Sequence, residues 1–563
     1  MKNNIFLFSI LIVFMLSACV DLDQDFTVTL SESEVTKSYD YTKYRAISVY
    51  AEIPNGFESI DGAMMSSASD EAEHTLETSG VQNFNTGNWN AIYNPDNVWE
   101  HYYQAIRKAN QFLASSDSVD LENYRLNPDP GQQEVYFTRL AEIQNWKVEV
   151  RLLRAYFYFE LIKRYGGVPI IKELTSLNDD YSIINRKPLS ECIDFIVSEC
   201  DVATGLLPAS YSEIELGRVT KGVAHALKSR VLLYAASDLF SDPSWAGEYS
   251  NASLISVPGN RSEKWKAAAE AAKSVIDLGM YSLSSSYNDI FGSVGYLNSE
   301  VIMARRNGAS NSFEIASVPI GYDLGQSGTT PSQCLVDSYE MIDGSEFDWD
   351  NSVHTATPYQ GRDPRLGYTI LTNDTEYKGR PVECWTGGLD GKGVPRATRT
   401  GYYLRKYVDS SLDLLQNRTS VHSWVIFRLA EVYLNYAEAL NEYDPGNPDI
   451  LTYLNFVRGR ADVNMPEIPS GFTQNEMRER IRNERKIELA FEDHRFWDVK
   501  RWMEAEQYFD IPLTGIEITK NGDIFNYKVI NVENRVFDRK MYLYPIPQND
   551  LNINNNMIQN PLW

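Results

Sequence analysis

Apolar positions recur with helical spacing through two long blocks of the chain and lose that spacing between them. From Val98 to Leu113, the residues Trp99, Tyr103, Ile106, Asn110 and Leu113 fall on one stripe, the mark of an amphipathic helix. Trp146 to Tyr165 is apolar nearly all round between Leu152 and Ile162, which predicts a helix buried on every side. It stops at Gly166-Gly167-Val168-Pro169, where glycine permits a left-handed cap and proline blocks continuation. Further helices are predicted over 190–207, 223–240 and 265–278. A second block follows at Trp424 to Glu442, Ile450 to Ala461 and Thr473 to about Glu504. The last of these opens on a capping box, Thr473-Gln474-Asn475-Glu476. Trp99, Trp146, Trp265, Trp424 and Trp497 sit on these stripes and read as core.

Between the blocks, 281–422 is rich in Gly, Ser, Asn, Thr and Pro, with short apolar runs. It reads as loops with short strands, too long to be a connector, and long irregular regions of this kind usually carry function. The tail, 505–563, reads as strand and loop. The predicted class is mainly α: helical pairs of tetratricopeptide type carrying a loop-rich insertion lobe, although no clean repeat of about 34 residues is visible. The expected divisions are 41–280, 281–422 and 423–563.

The N-terminus has a different pattern. Lys2 precedes an apolar stretch from Ile5 to Ala18, shorter than the roughly 20 residues that span a bilayer and suited to a signal segment. It ends Leu16-Ser17-Ala18-Cys19, which resembles a bacterial lipobox. Residues 1–18 are therefore expected to be removed and Cys19 to be lipidated, with 19–40 as a polar tether in which Asp21, Asp23, Gln24 and Asp25 crowd the anchor. The other cysteines, Cys192, Cys200, Cys334 and Cys384, show no metal-binding spacing, and read as small core residues.

The net charge of −25 leaves no basic face for nucleic acid. The most cationic stretch, 478–486, interleaves acids with Arg and Lys and is expected to be a solvated helix face. No nucleophile elbow, phosphate loop or dinucleotide fingerprint stands in the context it needs. His494 reads as structural, no carboxylate pair is singled out, and neither cofactor nor metal is expected. The 35 Tyr and 11 Trp supply many flat apolar faces with a polar handle.

Several segments in order resemble the SusD/RagB family of Bacteroidetes outer-membrane lipoproteins. They are Glu149-Val150-Arg151-Leu152-Leu153-Arg154-Ala155-Tyr156, Arg164-Tyr165-Gly166-Gly167-Val168-Pro169, Pro331-Ser332-Gln333-Cys334-Leu335-Val336-Asp337, Arg362-Asp363-Pro364-Arg365-Leu366, Phe427-Arg428-Leu429-Ala430-Glu431-Val432, Arg482-Asn483-Glu484-Arg485-Lys486-Ile487-Glu488, Arg495-Phe496-Trp497-Asp498, Tyr544-Pro545-Ile546-Pro547 and Gln559-Asn560-Pro561. The resemblance implies a tetratricopeptide-like scaffold, capture of a nutrient (usually a glycan) at the cell surface, and a SusC-like TonB-dependent outer-membrane transporter as partner. The acidic residues behind Cys19 resemble the surface-export signal of such lipoproteins, which places the protein on the outer face of the outer membrane.

Glycan capture needs flat apolar faces flanked by amides, carboxylates or guanidinium groups, and loops are where such groups converge. Trp89 and Asn94, in the unpatterned segment Gly87-Asn88-Trp89-Asn90-Ala91-Ile92-Tyr93-Asn94, are the first candidates. Two roles are open to Trp89: stacking on a ligand, or plugging the end of the helical stack. Tyr296, Tyr322, Trp349 and Trp385 in the insertion are further candidates, with packing as the competing and favoured role. A peptide cargo is the alternative that the same aromatics would serve, and an anchored glycoside hydrolase is a third reading.

Overall fold

The computed structural model describes residues 31–176 and 179–563; the predicted signal and Cys19 lie outside the described residues. The principal helices are α1 (Tyr39–Tyr50), α2 (Trp99–Ser115), α3 (Pro130–Tyr165), α4 (Leu189–Leu206), α5 (Lys221–Ala236), α6 (Arg261–Ile276), α7 (Leu429–Tyr443), α8 (Asp449–Arg458), α9 (Gln474–Glu488) and α10 (Arg495–Arg501). From α2 to α7 each helix packs on the next, and α7 packs on both α8 and α9. This is the predicted helical-pair scaffold, and two stretches of chain separated by the insertion build it together.

Local chemistry explains the elements. Residues 152–165 of α3 are all buried, as their all-round apolarity requires. The helix ends on Gly166 at φ +72°, where a Cβ would meet the Leu254 carbonyl at 2.5 Å. It begins well before Trp146, because the Asp129 side chain accepts from Gly131 N at 2.9 Å and Pro130 occupies the first turn. The capping box at Thr473 forms, with Glu476 accepting from Thr473 N at 2.8 Å.

Four expectations are corrected. Residues 31–40, read as tether, are helical: Ser31 and Glu34 form a capping box and Ser38 caps α1. Residues 424–428, read as the start of a helix, belong to a strand, Ser423–Arg428, whose six residues are all buried. The run Trp424-Val425-Ile426-Phe427 is aromatic and β-branched and fits a pleat better than a turn of helix. The helix predicted to about Glu504 breaks after Glu488, with Phe491 and Asp493 in left-handed conformations, and resumes as α10. The cationic stretch 478–486 is not a solvated face: Glu484, Arg485 and Lys486 are buried.

Strands are few and short. β1 (Ala72–His74), β2 (Val301–Arg306), β3 (Thr329–Pro331), β4 (Ser423–Arg428), β5 (Leu513–Asn521) and β6 (Ile524–Glu533) form three antiparallel pairs, β1 with β3, β2 with β4 and β5 with β6. The β2–β4 pair ties the insertion to α7.

Behind that tie lies a buried ionic network. Arg428 donates to Glu300, Glu488 and Glu492 at 2.7 Å each. Arg460 reaches Glu300 and Glu488, Arg365 reaches Asp363, Glu484 and Glu488, and Lys406 reaches Glu492 at 2.7 Å. Against its burial, the guanidinium groups of Arg460, Arg428 and Arg365 hold the Glu488 carboxyl well below the usual range. Bidentate guanidinium–carboxylate geometry offsets part of the desolvation such groups incur.

Glu71 is the exception. It is buried, one carboxylate oxygen has no hydrogen-bond partner, and burial together with the neighbouring Asp70 charge pushes its pKa up to about 8. The folded chain thus keeps a proton that the unfolded chain releases near 4.5, so this group's contribution to stability declines as pH rises from that value to about 8. Glu71→Gln is expected to remove that decline, gaining thermal midpoint over the native chain at pH 8 relative to pH 5. An equal difference at both pH values would refute the assignment.

Candidate ligand-binding face

In the β1–β3 pair, His74 lies opposite Thr329. The segment leaving β1 and the segment entering β3 therefore emerge at the same end, and Thr75 N donates to the Gly328 carbonyl at 3.0 Å where they part. The first segment is tied both to the chain ahead of β1 and to its own far end. Asp61 accepts from Gly80 N at 2.8 Å, and the Asn83 amide donates to the Tyr93 hydroxyl at 3.3 Å. The Asn90 side chain accepts from the backbone of Ile92 and Tyr93, an Asx turn that pushes 91–93 outward and leaves Tyr93 48% exposed.

The second segment carries Tyr322. Its hydroxyl donates to the Arg380 carbonyl at 3.1 Å, and the Arg380 guanidinium lies 3.7 Å from its ring centroid. Asp390 takes Arg380 in two bonds of 2.7 and 2.9 Å and also accepts from Gly321 and Glu383 N. Arg380 is therefore charge-balanced and fixed. Trp385 belongs to the same loop, half-buried, with the Lys520 ammonium 5.1 Å from its ring. Of the two segments that part at one end of this strand pair, the first thus carries an exposed phenol with amides, held by a carboxylate ahead of β1, and the second a braced guanidinium.

The other candidates lie elsewhere. Trp89 is 3% exposed and packs against Phe84, Tyr544 and Trp563 at centroid distances of 5.0, 5.2 and 4.8 Å. Of its two open roles the structure gives it the plug. Asn94 shapes a turn by accepting from Asp96 N at 3.0 Å. Trp349 is half-buried, with its indole N–H on Asp337 at 2.9 Å, on the helix that follows β3. Tyr296 lies under Arg306, in a separate pocket. Tyr93 and Arg380 were missed. The signal for Tyr93 was the bracketing Asn90 and Asn94-Pro95, which mark an outward turn; nothing local marks Arg380.

A cleft of about 640 Å³ lies on the helical side between α2 and the chain around Ile171 and Met557. Trp99, Tyr103, Ile106, Ile171, Ile184 and Met557 line it. Its polar wall groups are largely spent on the wall itself: Tyr103 donates to the Pro169 carbonyl at 2.9 Å, Asn110 to Ile171 at 3.0 Å and Asn554 to Ile184 at 2.9 Å.

Two family models match this chain: that of the SusD family over residues 299–563, and one described as starch-binding, associating with the outer membrane, over residues 22–233. The chain belongs to the SusD/RagB family. A SusD-like protein of Formosa agariphila is 24% identical over 489 residues, 85% of this chain and 82% of that protein. A crystal structure of a SusD-like protein from Bacteroides fragilis matches with a TM-score of 0.79 and 26% identity, over 95% of this chain and 99% of that one. A second B. fragilis structure, titled a SusD-like carbohydrate-binding protein, matches with a TM-score of 0.75 and 25% identity, over 93% and 99%. In this SusD-family chain the helical stack is the shared frame.

Proposed function

We propose that this SusD-family protein captures oligo- or polysaccharide without turning it over, and delivers it to a SusC-like TonB-dependent transporter. In this reading it is anchored by lipid at Cys19 on the outer face of the outer membrane. The observation that carries the glycan reading is that the two segments parting at one end of β1–β3 carry, on the first, the exposed Tyr93 with Asn83, tied at Gly80 to Asp61, and, on the second, the Tyr322–Arg380–Asp390 cluster. The likeness to a family described as starch-binding and to the carbohydrate-binding B. fragilis relative supports it. Aromatic contacts contribute about 0.5–1.5 kcal/mol beyond area burial. Tyr93→Ala is therefore expected to weaken glycan binding roughly two- to tenfold, with the thermal midpoint unchanged because the ring is half exposed. Isothermal titration of soluble protein against a glycan panel tests both. Binding of peptides with no binding of any oligosaccharide would overturn the glycan reading.

The 640 Å³ cleft favours a second reading, peptide cargo. An apolar floor whose polar groups are already spent suits apolar side chains better than hydroxyls.

A further inference from the structure

Tyr322 and Tyr296 are each covered by an arginine, and the two pairs differ in charge. Arg380 over Tyr322 is neutralised by Asp390. Arg306 lies 4.0 Å from the Tyr296 ring centroid, and its guanidinium has no carboxylate partner and no other hydrogen bond among the described residues. The Tyr296 hydroxyl is likewise uncommitted, whereas that of Tyr322 is spent on a backbone carbonyl.

Tyr296 and Arg306 line a pocket of about 270 Å³. The loop before α5, the chain after α6 and β2 line it, and Tyr211, Arg218 and Tyr281, with smaller polar residues such as Asn298 and Ser299, add to its polar wall. Arg218 stacks on Tyr211 at 4.1 Å and is balanced by Glu149 and Glu215. It is a brace, not a free charge. In a chain with 77 acidic and 52 basic residues, no Asp or Glu among the described residues lines this pocket. Its net charge comes from Arg306 alone.

We propose that this pocket binds an acidic sugar unit: a pyranose ring bearing a carboxylate or a sulfate group. The anionic group would take the guanidinium of Arg306, a donor set whose planar fork suits oxyanions, and the ring would lie against Tyr296 and Tyr281. The volume suits one or two sugar rings, below the roughly 300–1,000 Å³ of pockets that enclose drug-sized ligands. Because Arg306 is exposed, the interaction is screened and weakens as salt rises. The chain's overall negative charge opposes the approach of a polyanion, so the pocket would select an isolated acidic unit on a mainly neutral glycan.

The inference rests on the glycan reading above and is tested so that the two can fail separately. Soluble protein is titrated with a galactose trisaccharide in which one unit is galacturonic acid, its all-neutral galactose counterpart and a counterpart carrying a single sulfate, each against the native chain, Arg306→Gln and Tyr93→Ala. The expected result is binding of at least one acidic probe that weakens about tenfold in Arg306→Gln and in high salt, while neutral-probe binding responds only to Tyr93→Ala. Whether the uronate or the sulfate is retained identifies the group. Equal affinity of native protein and Arg306→Gln for every acidic probe overturns the pocket assignment and leaves the glycan reading standing. Failure of all three probes to bind, together with binding of a peptide panel, overturns both. A thermal midpoint equal to that of the native chain, expected for an exposed side chain with no polar partner, confirms that Arg306→Gln is folded.

Discussion

Arg428→Met is expected to unfold at markedly lower denaturant than the native chain, by about 3–5 kcal/mol, and its deficit should shrink as pH falls. Arg428 is 1% exposed and makes five bonds, four to the carboxylates of Glu300, Glu488 and Glu492 and one to the Glu488 carbonyl. Methionine fills similar volume but supplies no donor and no charge, so the carboxylates remain buried with less to offset their desolvation. The folded-state pKa of Glu488, which Arg428 helps to hold low, should rise. A carboxyl whose folded pKa lies above its unfolded value is most stabilising when protonated, and that stability is lost as pH rises. The gap between native and variant should therefore be wide at pH 8 and narrower at pH 5. Denaturant midpoints at the two pH values check this. A gap independent of pH would mean that Arg428 acts by packing alone. Lysine is not a conservative control here, because a single ammonium cannot meet three carboxylates arranged around a planar fork.

This network also shows where sequence reasoning runs out. Helices were legible because their signals are local: a stripe at i, i+3, i+4 and i+7, a Gly-Gly-Val-Pro stop, and a Thr-x-x-Glu start. The segment 478–486 carries the same kind of local information, alternating charge on a helix, and that reading is wrong for its second half. The partners of Glu484 are Arg365 and Arg458, on other elements of the fold, and nothing near Glu484 in sequence announces them. A solvated charge and a charge buried against a distant partner look alike until the partner is placed. β4 failed for a related reason. A short, fully buried apolar run has no period to read, and its strand identity comes from pairing with Val301–Arg306.

The ligand face was half legible. The polar, unpatterned character of 87–94 points to that loop, and the insertion points to Tyr322; both belong to the proposed face. What decides which ring in a loop meets solvent is the turn around it. The Asn90 turn sends Tyr93 out, while Trp89, one residue earlier, points back toward Phe84 and Tyr544. A larger aromatic surface makes Trp the more attractive stacking residue on composition, and it also makes Trp the more favourable residue to bury.

Trp89→Ala is accordingly expected to cause a large drop in thermal midpoint, corresponding to about 3–5 kcal/mol, with glycan affinity unchanged in whatever fraction remains folded. The ring fills a site walled by three aromatic residues, and truncation leaves a cavity that rigid neighbours cannot close. Trp89→Phe separates volume from polarity. The indole nitrogen is buried without a hydrogen-bond partner, so phenylalanine removes no bond and relieves one unsatisfied donor. It should lose only part of the volume and recover most of the midpoint. If Trp89 stacked on sugar, the pattern would invert: alanine would cost affinity at a constant midpoint, as expected of Tyr93→Ala. The two substitutions, measured side by side by titration and thermal unfolding, assign each ring to core or face.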